Sequence, residues 1–260
     1  MAINKESQSF TFIFSVVMVV IVATVLSLAA LGLKEPQQEN QRQEKMQNIL
    51  ASIQVTVDRS KATAEFGNYV KKRVVLNSKG EVVSELEGPI KTLKDDGVEA
   101  FEADAFNIDI KKQYRDQSLS AEDKKFPLFV CEKKEGEISY VVPLVGTGLW
   151  GPIWGYLALG PDMNTVIGAT FDHKTETPGL GAEINMGWFQ EPFVGDKIFD
   201  DNGEFVSIDV IKGGADPNDP HGVDAITGGT ITSVGLANML ENTLSIYVPY
   251  FKNNADIASI

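Results

Sequence analysis

Thr11 to Leu33 reads TFIFSVVMVVIVATVLSLAALGL, 23 residues without a charge. At 1.5 Å per residue this is about 35 Å of helix, enough to cross a hydrocarbon core with some tilt. A cleaved signal peptide has an apolar core of only about 7–15 residues and small residues before its cut. This run is longer, although Ala29, Ala30 and Gly32 are small. A buried helix of a soluble core is seldom apolar on every side. The run is therefore expected to be a retained transmembrane helix. Lys5 precedes it, whereas Lys34, Arg42 and Lys45 follow. That Lys/Arg count places the C-terminal side in the cytoplasm.

Around this span the chain divides into a short tail, 1–10, the helix, 11–33, a juxtamembrane stalk, 34–61, and a soluble domain, 62–260. Pro36 is expected to interrupt the helix or start a new one. Met46, Ile49, Leu50 and Ile53 recur at helical spacing, so the stalk reads as a polar helix that becomes amphipathic near the domain. The apolar positions do not persist long enough for a coiled coil.

Ala62–Lys72 reads as a short helix. Val74–Val83 and Phe126–Val145 each read as two strands around a turn. Ile153–Leu159 and Thr165–Phe171 form another pair about Gly160-Pro161-Asp162, and Glu204–Ile211 is a further strand. Thr230–Tyr247 has the apolar face of a final helix. The fold class is α+β: a single N-terminal transmembrane helix, then a domain of mainly antiparallel strands with flanking helices. There is no GxGxxG turn between strand and helix and no GxxxxGK[ST], which argues against a dinucleotide or P-loop domain.

The domain must work without much cationic or metal-binding chemistry. Asp plus Glu total 36 against 23 Lys plus Arg, a net charge of −13. That disfavours nucleic acid and a basic patch for anionic lipid. One cysteine, Cys131, excludes an internal disulfide, and with His173 and His221 it falls short of a zinc site. Both histidines read as surface loop residues.

Three glycine-rich clusters remain: Gly146–Tyr156 (GTGLWGPIWGY), His173–Glu183 (HKTETPGLGAE) and Lys212–Ser233 (KGGADPNDPHGVDAITGGTITS). Each could be no more than turns. Together they hold aromatics, hydroxyls and small residues next to a helix start. A flat aromatic ligand carrying a phosphate needs that set: apolar walls, backbone N–H groups and a helix N-terminus. The N–H groups of Ile231, Thr232 and Ser233 are expected to lie unpaired at that start.

Glu176–Gly181 (ETPGLG), with D-x-x-T-G-G-T-x-T-S at Asp224–Ser233, resembles the FMN-binding domain family. In that family a threonine of such a motif carries FMN through a phosphoester, which places Thr230 at the attachment site. Thr227 stands where the family has Ser or Thr, Gly229 replaces a commoner Ala, and Thr232 and Ser233 close the motif. Trp150, Thr177 and Leu180 fall where the family places contacts to the flavin ring. Lys212 falls where it places a phosphate or ribityl contact. Glu176, Gly179, Gly181 and Gly228 complete the cofactor-binding set implied.

The membrane helix, the GTGLWG upstream and the KGG before the motif narrow the resemblance. They point to the family's members in the Na+-translocating NADH:quinone reductase. For such a chain the resemblance implies an electron carrier with covalent FMN on Thr230, without an NADH site of its own. Electrons would arrive from an iron–sulfur centre and leave toward the FMN of the B subunit. Its partners would be the A, B, D, E and F subunits, and a periplasmic flavin transferase for maturation. The resemblance also implies a single-pass protein of the inner membrane with its FMN domain on the periplasmic side, against the Lys/Arg count. Three alternatives stay open: the FMN subunit of the related ferredoxin:NAD oxidoreductase complex, a membrane-anchored FMN sensor, and an adaptor in which Thr230 is an ordinary helix cap. The long stretch from Lys34 to Phe126 favours the Na+-pump complex over the first.

Overall fold

The computed structural model describes residues 7–116, 118–120, 123–134 and 136–254. The chain forms two units, Met1–Lys45 and Met46–Ile260. Helix α1 runs unbroken over Gln8–Ser52. Its apolar side chains from Phe12 to Leu33 are exposed all round, which excludes the core helix of a soluble protein and leaves a helix long and apolar enough to cross a membrane. Contrary to the sequence reading, Pro36 lies inside the helix. Its ring removes one hydrogen bond, to the Gly32 carbonyl. The flanking Glu35, Gln37, Gln38 and Glu39 are good helix formers and carry the helix past it.

The amphipathic end of the segment read as a stalk joins the fold. Met46, Ile49 and Leu50 on the last turns of α1, and Ile53 beyond them, are buried in the domain core. Helix α2, Ala62–Tyr69, follows and gives way to strand β1, Val70–Leu76, where β-branched residues begin. Then come β2 (Val82–Glu87), α3 (Leu93–Ala103), α4 (Ile110–Arg115), β3 (Phe126–Glu132), β4 (Ile138–Thr147), β5 (Pro152–Leu159) and β6 (Val166–His173). The six strands form one antiparallel sheet in the order β2-β1-β3-β4-β5-β6. A four-residue helix α5, Gly187–Gln190, precedes a small pair, β7 (Asp209–Ile211) and β8 (Gly222–Asp224). Helix α6, Thr230–Asn254, closes the fold.

Strand alternation sends side chains to two cores. Val74, Leu76, Leu128, Val142, Leu144 and Leu157 face α6 with Leu236, Leu240, Leu244 and Tyr247. Val75, Phe129, Cys131, Val141 and Ala158 face the end of α1 and Phe66 of α2. The sheet is thus covered on both sides, which is why inner strands such as β3 and β5 read as nearly continuous apolar runs. Burial pushes the Cys131 thiol up to about 12, so this cysteine is an inert core residue. The Tyr247 hydroxyl donates to the Pro127 carbonyl at 2.9 Å, pinning α6 to β3. Helix α6 passes Pro249, further than the Tyr247 end expected. There the β1–β2 turn lies against it. Gly80, at φ 75°, has no room for a Cβ, which would meet the Tyr250 nitrogen and come within 2.9 Å of Pro249.

Beside the antiparallel sheet, the small β7–β8 pair is parallel. Of the expected strand 204–211, Asp209–Ile211 forms a strand and Phe205 makes an isolated bridge to Phe199. Ser207, at φ 63°, breaks the run.

Lys197 joins the loops before these strands. Its N–H donates to the Pro220 carbonyl and its own carbonyl lies 2.7 Å from His221 Nδ1. The adjacent Asp196 carboxylate has Oδ2 buried without a hydrogen-bond partner. Burial, then the Asp219 charge, push its pKa up to about 7 against an opposing pull from His221. An unfolded Asp titrates near ~3.9. The folded state therefore holds this proton longer, and stability falls as pH rises from about 4 to about 7. Asp196→Asn is expected to melt with the wild type near pH 4 and above it at pH 8. Solvent screening keeps the difference modest at this half-buried position. Coincident melting curves at pH 8 would show that the carboxylate costs nothing.

Candidate functional site

The three glycine-rich clusters meet at the start of α6. Gly228, at φ 78°, turns the chain into the helix, and a Cβ there would come within 2.7 Å of Leu180 Cδ2. The tip of the 177–181 turn therefore lies over Gly228, two residues before Thr230. That turn is closed by the N–H groups of Leu180 and Ala182, both donating to the Thr177 carbonyl at 3.1 Å. A Cβ on Gly229 would lie 3.3 Å from the Gly181 nitrogen, so the same turn also touches the residue before Thr230.

Helix α6 begins with Gly229 as its cap. The Ser233 N–H donates to the Gly229 carbonyl at 2.9 Å, and the Ser233 hydroxyl accepts from the Ile226 N–H at 3.1 Å. This corrects the expectation for Ser233: its N–H is used inside the helix. The groups without an intrahelical acceptor are those of Thr230, Ile231 and Thr232. Thr230 is the first helical residue and half-buried, so its side chain is not the cap.

A buried carboxylate joins the clusters. Glu176 is 5% exposed. Its Oε1 accepts from the Trp150 N–H at 2.8 Å, and its Oε2 accepts from the Thr232 hydroxyl at 2.6 Å. The Glu176 N–H donates to His173 Nδ1 at 3.2 Å. Neither His173 nor His221 is the free surface residue expected; each is half-buried and hydrogen-bonded into a turn. His173 and Thr175 lie outside the expected set, and their places next to Glu176 in the chain are the signal for them.

The remaining residues of the sequence-predicted set are more open. Trp150 is 66% exposed and Leu180 42%. Leu149 and Ile231 are exposed beside them. Thr177, Thr227 and Gly179 lie exposed on their turns. Lys212 is exposed just past β7, whose last residue accepts from the Ala225 N–H at 3.0 Å. The backbone thus carries Lys212 beside the start of the 224–233 motif. Exposed Trp and Leu next to unpaired helix N–H groups suit a ligand that is apolar at one end and anionic at the other. No group of His, Cys, Asp and Glu among the described residues is arranged to hold a metal ion.

Residues 148–245, which contain all these groups, match the FMN-binding domain family. Fold and site together define a class, an FMN-binding domain behind a candidate membrane anchor. The C subunit of the Na+-translocating NADH-quinone reductase of Neisseria meningitidis is 32% identical over 95% of this chain and 94% of that protein. Its counterpart in Haemophilus ducreyi is 30% identical over 97% of each. The crystal structure of the C subunit from Parabacteroides distasonis superposes with a TM-score of 0.69 at 39% identity, covering 84% of this chain and 96% of that one. NqrC from Shewanella oneidensis gives 0.66 at 25% identity, covering 83% and 98%. The chain belongs to the family of C subunits of the Na+-translocating NADH-quinone reductase.

Proposed function

We propose that this chain is the electron-carrying C subunit of a Na+-translocating NADH:quinone reductase, with FMN held covalently through the Thr230 hydroxyl. The observation that carries the reading is the place of the half-buried Thr230 at the start of α6, among N–H groups without intrahelical acceptors, with Leu180 packed over Gly228 and the exposed Trp150 linked to Thr232 through Glu176. FMN supplies reversible one- and two-electron redox chemistry when bound. The chain's residues supply the rest. Thr230 offers the ester oxygen. The N–H groups of Thr230, Ile231 and Thr232 receive phosphate charge, each such interaction being worth about 0.3–1 kcal/mol. Lys212 adds a cation from the neighbouring strand end. Trp150, Thr177 and Leu180 wall the ring, and Gly179, Gly181, Gly228 and Gly229 let backbone come close.

In this reading the chain accepts electrons from an iron–sulfur centre held by neighbouring subunits and passes them to the FMN of the B subunit. The A, B, D, E and F subunits are its partners, and a periplasmic flavin transferase matures it. Residues 11–33 span the inner membrane, with tail 1–10 before them, stalk 34–61 after, and domain 62–260 on the periplasmic side. A covalent cofactor fits such a carrier, because no binding equilibrium interrupts repeated transfer.

The test uses the full chain from a host that has the flavin transferase. The chain is expected to co-purify with an NADH-oxidising, quinone-reducing complex and to fluoresce in a denaturing gel. Tandem mass spectrometry of the tryptic peptide Gly213–Lys252 should place the FMN phosphoester on Thr230. No fluorescent band would leave the adaptor reading, and flavin without an NADH-oxidising partner would leave the sensor.

A further inference from the structure

We propose that Glu176 is the positioning residue of the flavin site, a buried carboxylate that sets the Trp150 wall against the start of α6. The inference rests on the flavin reading above and gives Glu176 a role other than cofactor contact. Both of its oxygens are taken by protein groups, Oε1 by the Trp150 N–H and Oε2 by the Thr232 hydroxyl.

The surroundings are shaped for this carboxylate. A Cβ on Gly148 would lie 2.7 Å from Oε1, and one on Gly181 would lie 2.6 Å from Oε2. Two glycines on different loops thus leave the space that the carboxylate fills. Its own backbone is fixed by His173, and the Trp150 peptide is fixed again by the Thr175 hydroxyl, which donates to the Trp150 carbonyl at 3.0 Å. Trp150 is therefore held at both its N–H and its C=O, although the residue is largely exposed.

The two partners lie on the two sides of the site. Trp150 carries an apolar wall, and Thr232 belongs to the first turn of α6, two residues after Thr230. Two charge-assisted hydrogen bonds to one rigidly held carboxylate fix the spacing between them. Both bonded donors are neutral, so neither offsets the charge of the Glu176 carboxylate where the Trp150 loop meets the start of α6. The helix N-terminus makes that charge tolerable in a buried setting. A negative charge there opposes the addition of electrons to the ring.

The experiment compares Glu176→Ala, Glu176→Gln, Thr232→Val and Thr232→Ser in the full chain assembled in its complex. Covalent flavin occupancy, ring absorbance and midpoint potential are measured beside a melting curve. Glu176→Ala frees both donors, so occupancy is expected to fall and the ring bands to shift. Gln keeps the shape, accepting from Trp150 and donating to the Thr232 oxygen. Glu176→Gln should therefore restore occupancy and bands but raise the potential. Thr232→Val should shift the bands as Ala does, and Thr232→Ser should restore them. A folded Ala variant with wild-type occupancy, bands and potential overturns the proposal. If Ala fails to fold, the Val and Ser pair decides by the same readings: unshifted bands in Val overturn it. Wild-type protein without flavin on Thr230 refutes the flavin reading instead. Flavin on Thr230 that is indifferent to Glu176 and Thr232 refutes only the positioning role.

Discussion

Thr230→Ala is expected to reduce covalent flavin from full occupancy to none while the domain stays folded. The substitution removes the one side-chain oxygen that opens α6. Its stability cost is small, because Thr230 is the first helical residue and the cap is Gly229, whose carbonyl accepts from Ser233. Ala is also the better helix former, so the net change should stay within about 0.5 kcal/mol. Nearby hydroxyls do not replace it equally. Thr232 is buried, with its hydroxyl committed to Glu176. Thr227 is exposed and is the real competitor. Thr230→Ser keeps an oxygen and should retain partial labelling. Quinone reduction by a complex carrying Thr230→Ala should fall to background, whereas NADH oxidation by an artificial acceptor should persist. Full labelling of the Ala variant, or an adduct mapped to Thr227, would remove Thr230 from the mechanism.

What could be read from the sequence was local. The charge-free run, the hairpins around Ser-Lys-Gly and Gly-Pro-Asp, and the glycine clusters all carry their signals within a few residues. Two short helices passed unread although their caps stand in the sequence. The Thr92 hydroxyl accepts from the Asp95 N–H, and Asp109 Oδ1 accepts from Lys111 and Lys112. In α3 the apolar period is hidden by Gly97, at φ 83°. The β7–β8 pair is three residues long on each side and leaves no periodicity to read. The link from Glu176 to Thr232 spans 56 residues of chain, and no local pattern can show it. Pro36 misled for the opposite reason: a strong local rule met a helix whose neighbours could absorb one missing bond. The glycine clusters and the motif are legible as short strings, but only tertiary packing places the Glu176 carboxylate between the Trp150 N–H and the Thr232 hydroxyl.

Arg73→Met is expected to cost about 3–5 kcal/mol, a large part of a domain stability of about 5–15 kcal/mol. Arg73 and Asp104 are paired at 2.7 Å with side chains 1% and 0% exposed. The guanidinium also donates from Nη1 to the Gly88 carbonyl at 2.7 Å and from Nη2 to Pro89 at 3.1 Å. Asp104 in turn accepts from the N–H groups of Lys91 and Phe106. One ion pair thus ties β1 to the connection that carries α3. Removing Arg73 leaves a buried charge and two carbonyls short of partners. Removing Asp104 leaves the guanidinium and two N–H groups, so Asp104→Leu should be at least as costly. Lys at 73 keeps the charge but not the planar fork that reaches all three acceptors, so Arg73→Lys should recover only part of the loss. Denaturant titration of the detergent-solubilised chain, followed by tryptophan fluorescence, measures these differences. A midpoint for Arg73→Met equal to wild type would show the pair to be dispensable. The flavin in the fraction that folds should keep its potential, because Asp104 leads into Ala105 and Phe106, which pack in the core facing α1, across the sheet from α6. Loss of activity in these variants should therefore scale with the amount of folded protein and not with the properties of its flavin.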